Sequence, residues 1–112
     1  KIPITKEKFS ATYIDQVAVI TECTEVSING KTFIEGKKGE GSYTINFKDI
    51  SEIVFLKKAD KLRGIVSLLN GESVDMILDN NHKAYGKTRY GTFQIILAKL
   101  NKMIINHKGG GK

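Results

Sequence analysis

Apolar and polar residues alternate through much of the chain, and one pattern of alternation occurs twice. In residues 39–55 polar side chains separate the apolar ones at Tyr43, Ile45 and Phe47. Residues 89–105 repeat the same order of apolar positions 50 residues later, without a gap. Alternation with a period of two is typical of a strand that buries one face. The first copy is therefore predicted to form a strand, a tight turn and a second strand.

The second copy allows two interpretations. Phe93, Leu97 and Leu100 also follow the spacing of an amphipathic helix, and "LAKLNKM" contains good helix formers. The match to the first copy and the β-rich stretches "FQII" and "MII" favour strands instead. We expect an all-β fold, with an α+β fold that has a C-terminal helix at about 93–106 as the alternative.

Short turn signals separate the apolar runs. Asn29-Gly30 and Asn70-Gly71 are each predicted to form a turn, because both residue types tolerate the positive φ angles that tight turns need. Apolar side chains alternate in residues 9–13 and predict an additional strand near the N-terminus. Strands this short, separated by glycine-containing turns, indicate a small barrel or a two-sheet sandwich.

Another hairpin is predicted in residues 17–28, "VAVIT-EC-TEVSI", with Cys23 at its turn. Glu22 and Glu25 lie close to this cysteine in sequence. Nearby carboxylates disfavour the thiolate, so they are expected to raise the pKa of Cys23 and to leave the thiol unreactive. As the only cysteine, it also excludes an internal disulfide.

The matching of the two copies extends towards the N-terminus with a changed offset. Upstream of Gly36 an offset of 48 aligns Val17 with Ile65 and Ile28 with Met76. Each copy is then a meander of about four strands, too thin to cover its own apolar face. Two tandem meanders facing each other would bury both faces.

The resulting domain organisation is a single β domain at 1–106. Repeat one spans about 9–56 and repeat two about 58–106. Residues 107–112, "HKGGGK", are predicted to be a disordered tail, because ordering three glycines costs conformational entropy.

Composition restricts the class of protein. At 112 residues, 40% of them apolar and 27% charged, the chain has the make-up of one globular domain. The net charge of +6 favours anionic partners. No apolar run approaches the ~20 residues of a membrane-spanning helix, so no membrane span is expected.

Catalytic chemistry is not evident in the sequence. The two histidines, His82 and His107, lie in a polar loop and at the start of the tail, where we expect both to be solvated. Neither is placed beside a nucleophile and an orienting acid. Asp75, Asp79 and His82 lack the spacing of metal ligands. We therefore expect no enzyme activity, no metal site and no cofactor.

Two glycine-rich, cationic loops are the best candidates for a binding surface. They are "EGKKGEG" at residues 35–41 and "YGKTRYG" at residues 85–91, which occupy equivalent places in the two copies. Cations interleaved with aromatic rings can bind a phosphate backbone and stack bases. The predicted binding residues are Lys37, Lys38, Tyr85, Lys87, Arg89 and Tyr90.

The function expected from these observations is that of a non-catalytic interaction module. Its partner would be a protein or an anionic polymer, and a nucleic-acid-binding β-barrel that uses the basic and aromatic loops is the alternative. Short meanders leave open sheet edges, so pairing of edge strands in a homodimer is also expected. The chain begins with Lys1 rather than Met, and removal of a leader would place the protein in the periplasm or outside the cell.

Overall fold

The computed structural model describes residues 8–107, which form an all-β fold, as predicted. Its strands are β1 Ser10–Asp15, β2 Ile20–Ile28, β3 Phe33–Lys38, β4 Gly41–Asn46, β5 Ile50–Lys58, β6 Lys61–Leu68, β7 Ser73–Leu78, β8 Lys83–Thr88, β9 Gly91–Ile96 and β10 Leu100–Asn106. Two 3-10 turns, Phe47–Asp49 and Leu97–Lys99, follow β4 and β9.

The alternative of a C-terminal helix at 93–106 is wrong. Residues in this range form the end of β9, the second 3-10 turn and β10, and β10 pairs with both β1 and β5. These two neighbours satisfy the backbone hydrogen bonds that a helix would otherwise make within itself. Leu97 and Leu100 point into the core at the bend, and each is at most 1% exposed.

All ten strands belong to one antiparallel sheet curled into a half-barrel. Their order is β4-β3-β7-β6-β5-β10-β1-β2-β8-β9, so β4 and β9 form the two edges of the described sheet. The concave face buries one continuous apolar cluster. Its largest fully buried members are Tyr13, Phe47, Phe55, Ile34, Ile50, Ile53, Leu62, Met76, Leu97, Leu100, Met103 and Val26.

The sheet order reads as two equivalent halves that meet where β5 pairs with β10. One half is β4-β3-β7-β6-β5 and is continuous in sequence, whereas the other, β9-β8-β2-β1-β10, contains the first two and last three strands. Strands of residues 9–56 and 58–106 are thus shared between the halves. This arrangement differs from the two separate meanders that we expected, and a duplication as its origin stays a prediction.

The joint between the halves lies in the core. Ile53 of β5 stands opposite Met103 of β10, and both are fully buried. The Nε2 atom of His107 lies 2.7 Å from the carbonyl oxygen of Ile50, so this side chain packs on β5 instead of being only solvated. Of the predicted tail 107–112, the residues after His107 lie outside the described residues.

The offset of 50 between equivalent positions holds from β3 and β8 onwards, but the upstream offset of 48 is wrong. Ala11 stands opposite Ile105 and Gly64 opposite Phe55, and these two partners are 50 residues apart. Ala11 is therefore equivalent to Gly64, an offset of 53. The residues that the offset of 48 aligned include Val17, which is 78% exposed in the turn after β1 and has no counterpart within β6.

The hairpin predicted with Cys23 at its turn is also wrong, because β2 is one strand. Cys23 lies in the middle of β2 opposite Ala11 of β1 and is 3% exposed. The turn lies earlier, at residues 16–19, where Ala18 has a φ of 66°. Further along β2 the pairing with β8 shifts at a bulge, where Glu25 adopts a φ of 50°.

Both predicted asparagine-glycine turns exist, with different geometry. Asn29 and Gly30 have φ angles of 55° and 84° and form a tight turn between β2 and β3. The β6–β7 hairpin has a longer loop, residues 69–72, in which Gly71 has a φ of 95°. Asn70 instead accepts a hydrogen bond on its side-chain oxygen from the Glu72 N–H, at 2.9 Å.

Candidate functional site

The predicted binding residues lie on two separate hairpins, β3–β4 and β8–β9. Tyr85, Lys87, Arg89 and Tyr90 share the β8–β9 hairpin, whereas Lys37 and Lys38 lie on β3. All neighbouring strands are antiparallel and β3 and β8 stand seven places apart in the sheet, so these two strands run in opposite directions. Over residues 8–107 no hydrogen bond, ion pair or ring contact joins the two hairpin tips.

The two hairpins approach each other at their bases. The Asn29 N–H donates to the Lys83 carbonyl oxygen at 2.7 Å, which joins the turn before β3 to the first residue of β8. Each hairpin then extends for six residues, about 20 Å, away from its base. The six predicted residues therefore form two surfaces and not one.

Strand alternation places three side chains of β8 on its outward face. Ala84 and Gly86 point into the core, and both are buried. Lys83, Tyr85 and Lys87 point the other way, about 7 Å apart along the strand. Sequence reasoning missed Lys83, although its period-two spacing with the next two residues would have identified it.

Gly86 allows β8 to lie directly on β2. A Cβ atom at this position would stand 2.6 Å from the Cβ atom and 2.9 Å from the Sγ atom of Cys23. The equivalent Gly36 of β3 lies in the same way against Met76 of β7, where a Cβ would stand 2.6 Å from its Cγ atom. Each hairpin is thus held close to the rest of the sheet by a missing side chain.

Tyr13 fixes β8 from inside the core. Its hydroxyl donates a 2.9 Å hydrogen bond to the backbone carbonyl of Tyr85, and its ring stacks on Phe93 of β9 with centroids 5.6 Å apart. Burial, with a smaller contribution from the nearby Cys23 thiol, raises the pKa of Tyr13 well above its ordinary value. The hydroxyl therefore stays protonated and keeps donating to β8.

Cys23 does not supply a nucleophile to the site at neutral pH. Burial raises the pKa of its thiol to about 11. The sequence had attributed a raised pKa to Glu22 and Glu25, but the cause in the structure is the burial of the thiol.

The tip of the β8–β9 hairpin presents two exposed side chains. The Arg89 guanidinium lies 5.4 Å from the ring centroid of Tyr90, and Tyr90 is 88% exposed. Thr88 holds the turn, since its hydroxyl donates to the Gly91 carbonyl at 3.0 Å and accepts from the Tyr90 N–H at 3.0 Å. The cation and the ring are therefore held next to each other at the tip.

One carboxylate borders this surface. The Oε1 atom of Glu25, at the bulge of β2, lies 3.5 Å from the Lys87 ammonium and 3.5 Å from the Lys8 ammonium. Both pairs are solvent-exposed enough that they contribute little to stability. They partly neutralise one side of the hairpin and leave Lys83 and Arg89 unaffected.

The β3–β4 hairpin has the same backbone but a balanced charge. Lys37 and Lys38 share it with Glu35 and Glu40. The Lys38 ammonium also donates to the backbone carbonyl of Asp75 at 3.4 Å. The two candidate hairpins are therefore equivalent in position and different in electrostatics.

The same asymmetry runs through the whole sequence. From Asn80 to Lys112 the chain has seven Lys or Arg residues and no Asp or Glu. The 79 residues before it have 11 Lys or Arg and 12 Asp or Glu, so they are nearly neutral. The net charge of +6 thus arises from the last third of the chain, which contains the β8–β9 hairpin.

The described residues offer neither a cluster of metal ligands nor a membrane-spanning helix. His82 does lie near Asp79, with its Nε2 atom 3.5 Å from the Oδ2 atom. Within residues 8–107, however, no three His, Cys, Asp or Glu side chains come close enough to hold a metal ion. The same residues contain no helix with the length and hydropathy to cross a membrane.

Comparison with known proteins identifies a family without assigning an activity. No curated protein and no solved structure matches the chain. The family model described as "Uncharacterised protein" matches residues 5–108, a range that includes all ten strands. The chain therefore belongs to this family of uncharacterised proteins.

Proposed function

We propose that the protein is a non-catalytic binding module that takes an anionic polymer on the outward side of its β8–β9 hairpin. The surface, called the cationic face below, consists of Lys83, Tyr85, Lys87, Arg89 and Tyr90. The observation that carries the proposal is the difference in charge between two hairpins of equivalent position in the fold.

Folding does not require this difference. The β3–β4 and β8–β9 hairpins have strands of the same length, the same offset of 50 residues and a close glycine contact at equivalent positions. We infer that they arose by duplication, after which only the second lost its acids. Three cations without a carboxylate on the same hairpin attract polyanions and repel cationic partners.

The space beside the cationic face suits an extended polymer. An open groove of about 560 Å³ passes from Arg89 and Lys87 along Thr24 of β2 to Asn106 at the end of β10. An open groove allows a long chain to enter and leave at both ends, whereas a small ligand would need an enclosed site. Phosphate or sulfate groups would exchange with Glu25 for the Lys87 ammonium.

The dependence of binding on salt tests the proposal. Affinity for heparin and for polyphosphate would be measured over a range of NaCl concentrations, for the wild type and for Lys87→Gln/Arg89→Gln. Each lost phosphate contact lowers the slope of log affinity against log salt by about 0.7–0.9, so the double variant should lose about 1.5. The matched control is Lys37→Gln/Lys38→Gln on the equivalent hairpin, which should leave the slope unchanged.

Two results would reject the cationic face as the binding site. Equal slopes for the wild type and Lys87→Gln/Arg89→Gln would show that these cations do not contact the polymer. A larger loss in the Lys37→Gln/Lys38→Gln control would move the site to the other hairpin.

Single-stranded nucleic acid is a second candidate, supported by the two aromatic rings. Tyr85 stands between Lys83 and Lys87 on β8, and Tyr90 is 88% exposed at the tip. Stacking of one base on an aromatic side chain contributes about 1–3 kcal/mol. Tyr90→Ala should therefore weaken binding of a single-stranded oligonucleotide and leave binding of polyphosphate unchanged. An equal effect on both polymers would exclude base stacking on this ring.

A further inference from the structure

The two edge strands of the described sheet lack the features that usually prevent pairing between molecules. Edge strands of soluble proteins commonly carry lysine, proline or a bulge. Strand β4, "GSYTIN", and strand β9, "GTFQII", have no charged residue and no proline, although 27% of the chain is charged. Their pairing registers with β3 and β8 also run without a shift. Both edges are therefore open templates for another strand.

Alternation of the hydrogen bonds identifies which residues of β4 face the open edge. The Phe47 N–H donates to the Thr32 carbonyl at 3.0 Å, which extends the β3–β4 ladder by one pair. Counting back in steps of two, Ile45 and Tyr43 also bond towards β3. The N–H and C=O groups of the intervening residues, Ser42, Thr44 and Asn46, consequently point outward.

The same count applies to β9. The Leu97 N–H donates to the His82 carbonyl at 2.9 Å and continues the β8–β9 ladder. The outward backbone groups of β9 are therefore those of Thr92, Gln94 and Ile96. Geometry alone does not distinguish the two edges.

We propose that two copies of this chain pair through β4, antiparallel and centred on Thr44. In this register Thr44 stands opposite Thr44 of the second copy, and Ser42 stands opposite Asn46. All three outward residues of each strand then form hydrogen-bonded pairs, and any other symmetric register uses fewer. The central pair is threonine on threonine, a favourable cross-strand combination.

Charge at the ends of the ladder selects β4 over β9. In the β4 pairing, Glu40 of each copy comes next to Lys48 of the other copy, so opposite charges meet at both ends. The equivalent β9 pairing, centred on Gln94, brings Arg89 of each copy next to Lys99 of the other, so like charges meet at both ends. Like charges across strands are destabilising. The second copy is thus the occupant that fits β4, and β9 stays free beside the cationic face.

Sedimentation of the full chain over a range of concentrations tests this interface. The wild type should be a dimer. Thr44→Lys places two lysines opposite each other and should raise the dissociation constant by about tenfold or more. Gln94→Lys is the matched control at the equivalent position of β9 and should leave the dimer intact. Both side chains are exposed, and circular dichroism would verify that both variants fold.

A charge exchange provides a second, independent test. Glu40→Lys and Lys48→Glu should each weaken the dimer, and the double variant should restore it. The proposal is overturned if the wild type stays monomeric up to about 1 mM. It is also overturned if Gln94→Lys weakens association as much as Thr44→Lys, or if species larger than dimers show that β4 pairs with β9. Because none of these variants alters the cationic face, failure here leaves the polyanion proposal standing.

Discussion

At the scale of single residues, Gly86 positions the proposed binding surface by what it lacks. A side chain there would meet the Cβ atom of Cys23, which is fixed to the backbone of β2. At Gly36 the corresponding atoms are Cγ and Sδ of Met76, near the end of a flexible side chain. The two equivalent glycines therefore differ in how much a substitution should cost.

Gly86→Ala is expected to lower the free energy of unfolding by about 1–3 kcal/mol, because neither β2 nor β8 can move apart without losing core contacts. Gly36→Ala should cost less, since Met76 can change rotamer. Urea unfolding would measure both. Gly41→Ala serves as the control, because a Cβ there would meet only a carbonyl oxygen at 3.9 Å. Equal stability of the Gly86 and Gly41 variants would contradict the close approach of β8 to β2.

The Cys23 thiol should make stability fall at alkaline pH. Its pKa in the folded protein is about 11, raised by burial from an ordinary 9.0. Between these values the unfolded chain loses the proton and the folded chain keeps it, so the free energy of unfolding decreases as the pH rises. Cys23→Ala should make this decline less steep. Urea unfolding at several pH values between 9 and 11 would measure it, and an unchanged slope would contradict the burial of the thiol.

Local sequence predicted some residues correctly and missed others for a physical reason. The alternation of Tyr43, Ile45 and Phe47 shows the inward face of β4 directly. Cys23 was misplaced because its acidic neighbours make "TECTE" look like a turn, whereas pairing with β1 and β8 on both sides keeps the segment extended. Such pairing involves residues distant in sequence, which a local pattern does not show.

At the scale of elements, tight turns set the register of the sheet. Strands β5 and β6 are joined by a two-residue turn, Ala59-Asp60, in which Ala59 adopts a φ of 55°. This left-handed conformation crowds the Cβ atom of any residue other than glycine. The turn therefore holds strain that a substitution can remove.

Ala59→Gly is expected to raise the free energy of unfolding by about 0.5–1 kcal/mol, since relief of this strain exceeds the extra entropy of the unfolded chain. Thermal unfolding followed by circular dichroism would measure the change. Ala98→Gly, in a 3-10 turn without a positive φ, is the control and should be destabilising. A loss of stability in Ala59→Gly would indicate that the turn has a different conformation.

Element types were easier to predict than their alignment. The C-terminal segment from Phe93 to Ile105 is resolved as strand, turn, strand by the same apolar order that defines its counterpart at residues 43–55. The upstream offset failed because bulges shift the pairing of β2 with β8 and of β1 with β10 by a residue or more. A bulge leaves little trace in the alternation of apolar residues.

At the scale of the whole molecule, the two halves share one buried cluster and should unfold together. Ile53 and Met103 face each other where the halves meet, and both are fully buried. Ile53→Ala and Met103→Ala should each cost about 2–5 kcal/mol and leave a single transition. Coincident unfolding curves from circular dichroism and tyrosine fluorescence would show this. Two separate transitions would contradict a core that is continuous across the joint.

The sharing of strands between the halves lay beyond sequence reasoning. Nothing in the repeated pattern states whether β3 pairs within its own copy or with β7 of the other, because both choices bury the same face. The charge asymmetry of the two hairpins, in contrast, was present in the sequence. It was missed because the net charge was counted for the chain as a whole and not for each third of it.

The most direct test of the central claim is a residue-by-residue map of polyanion binding. Nuclear magnetic resonance of the ¹⁵N-labelled protein would follow amide shifts during titration with a short heparin fragment. Binding at the cationic face predicts the largest shifts in residues 83–92 and none in the equivalent residues 33–42. Shifts confined to residues 33–42, or equal on both hairpins, would contradict the account.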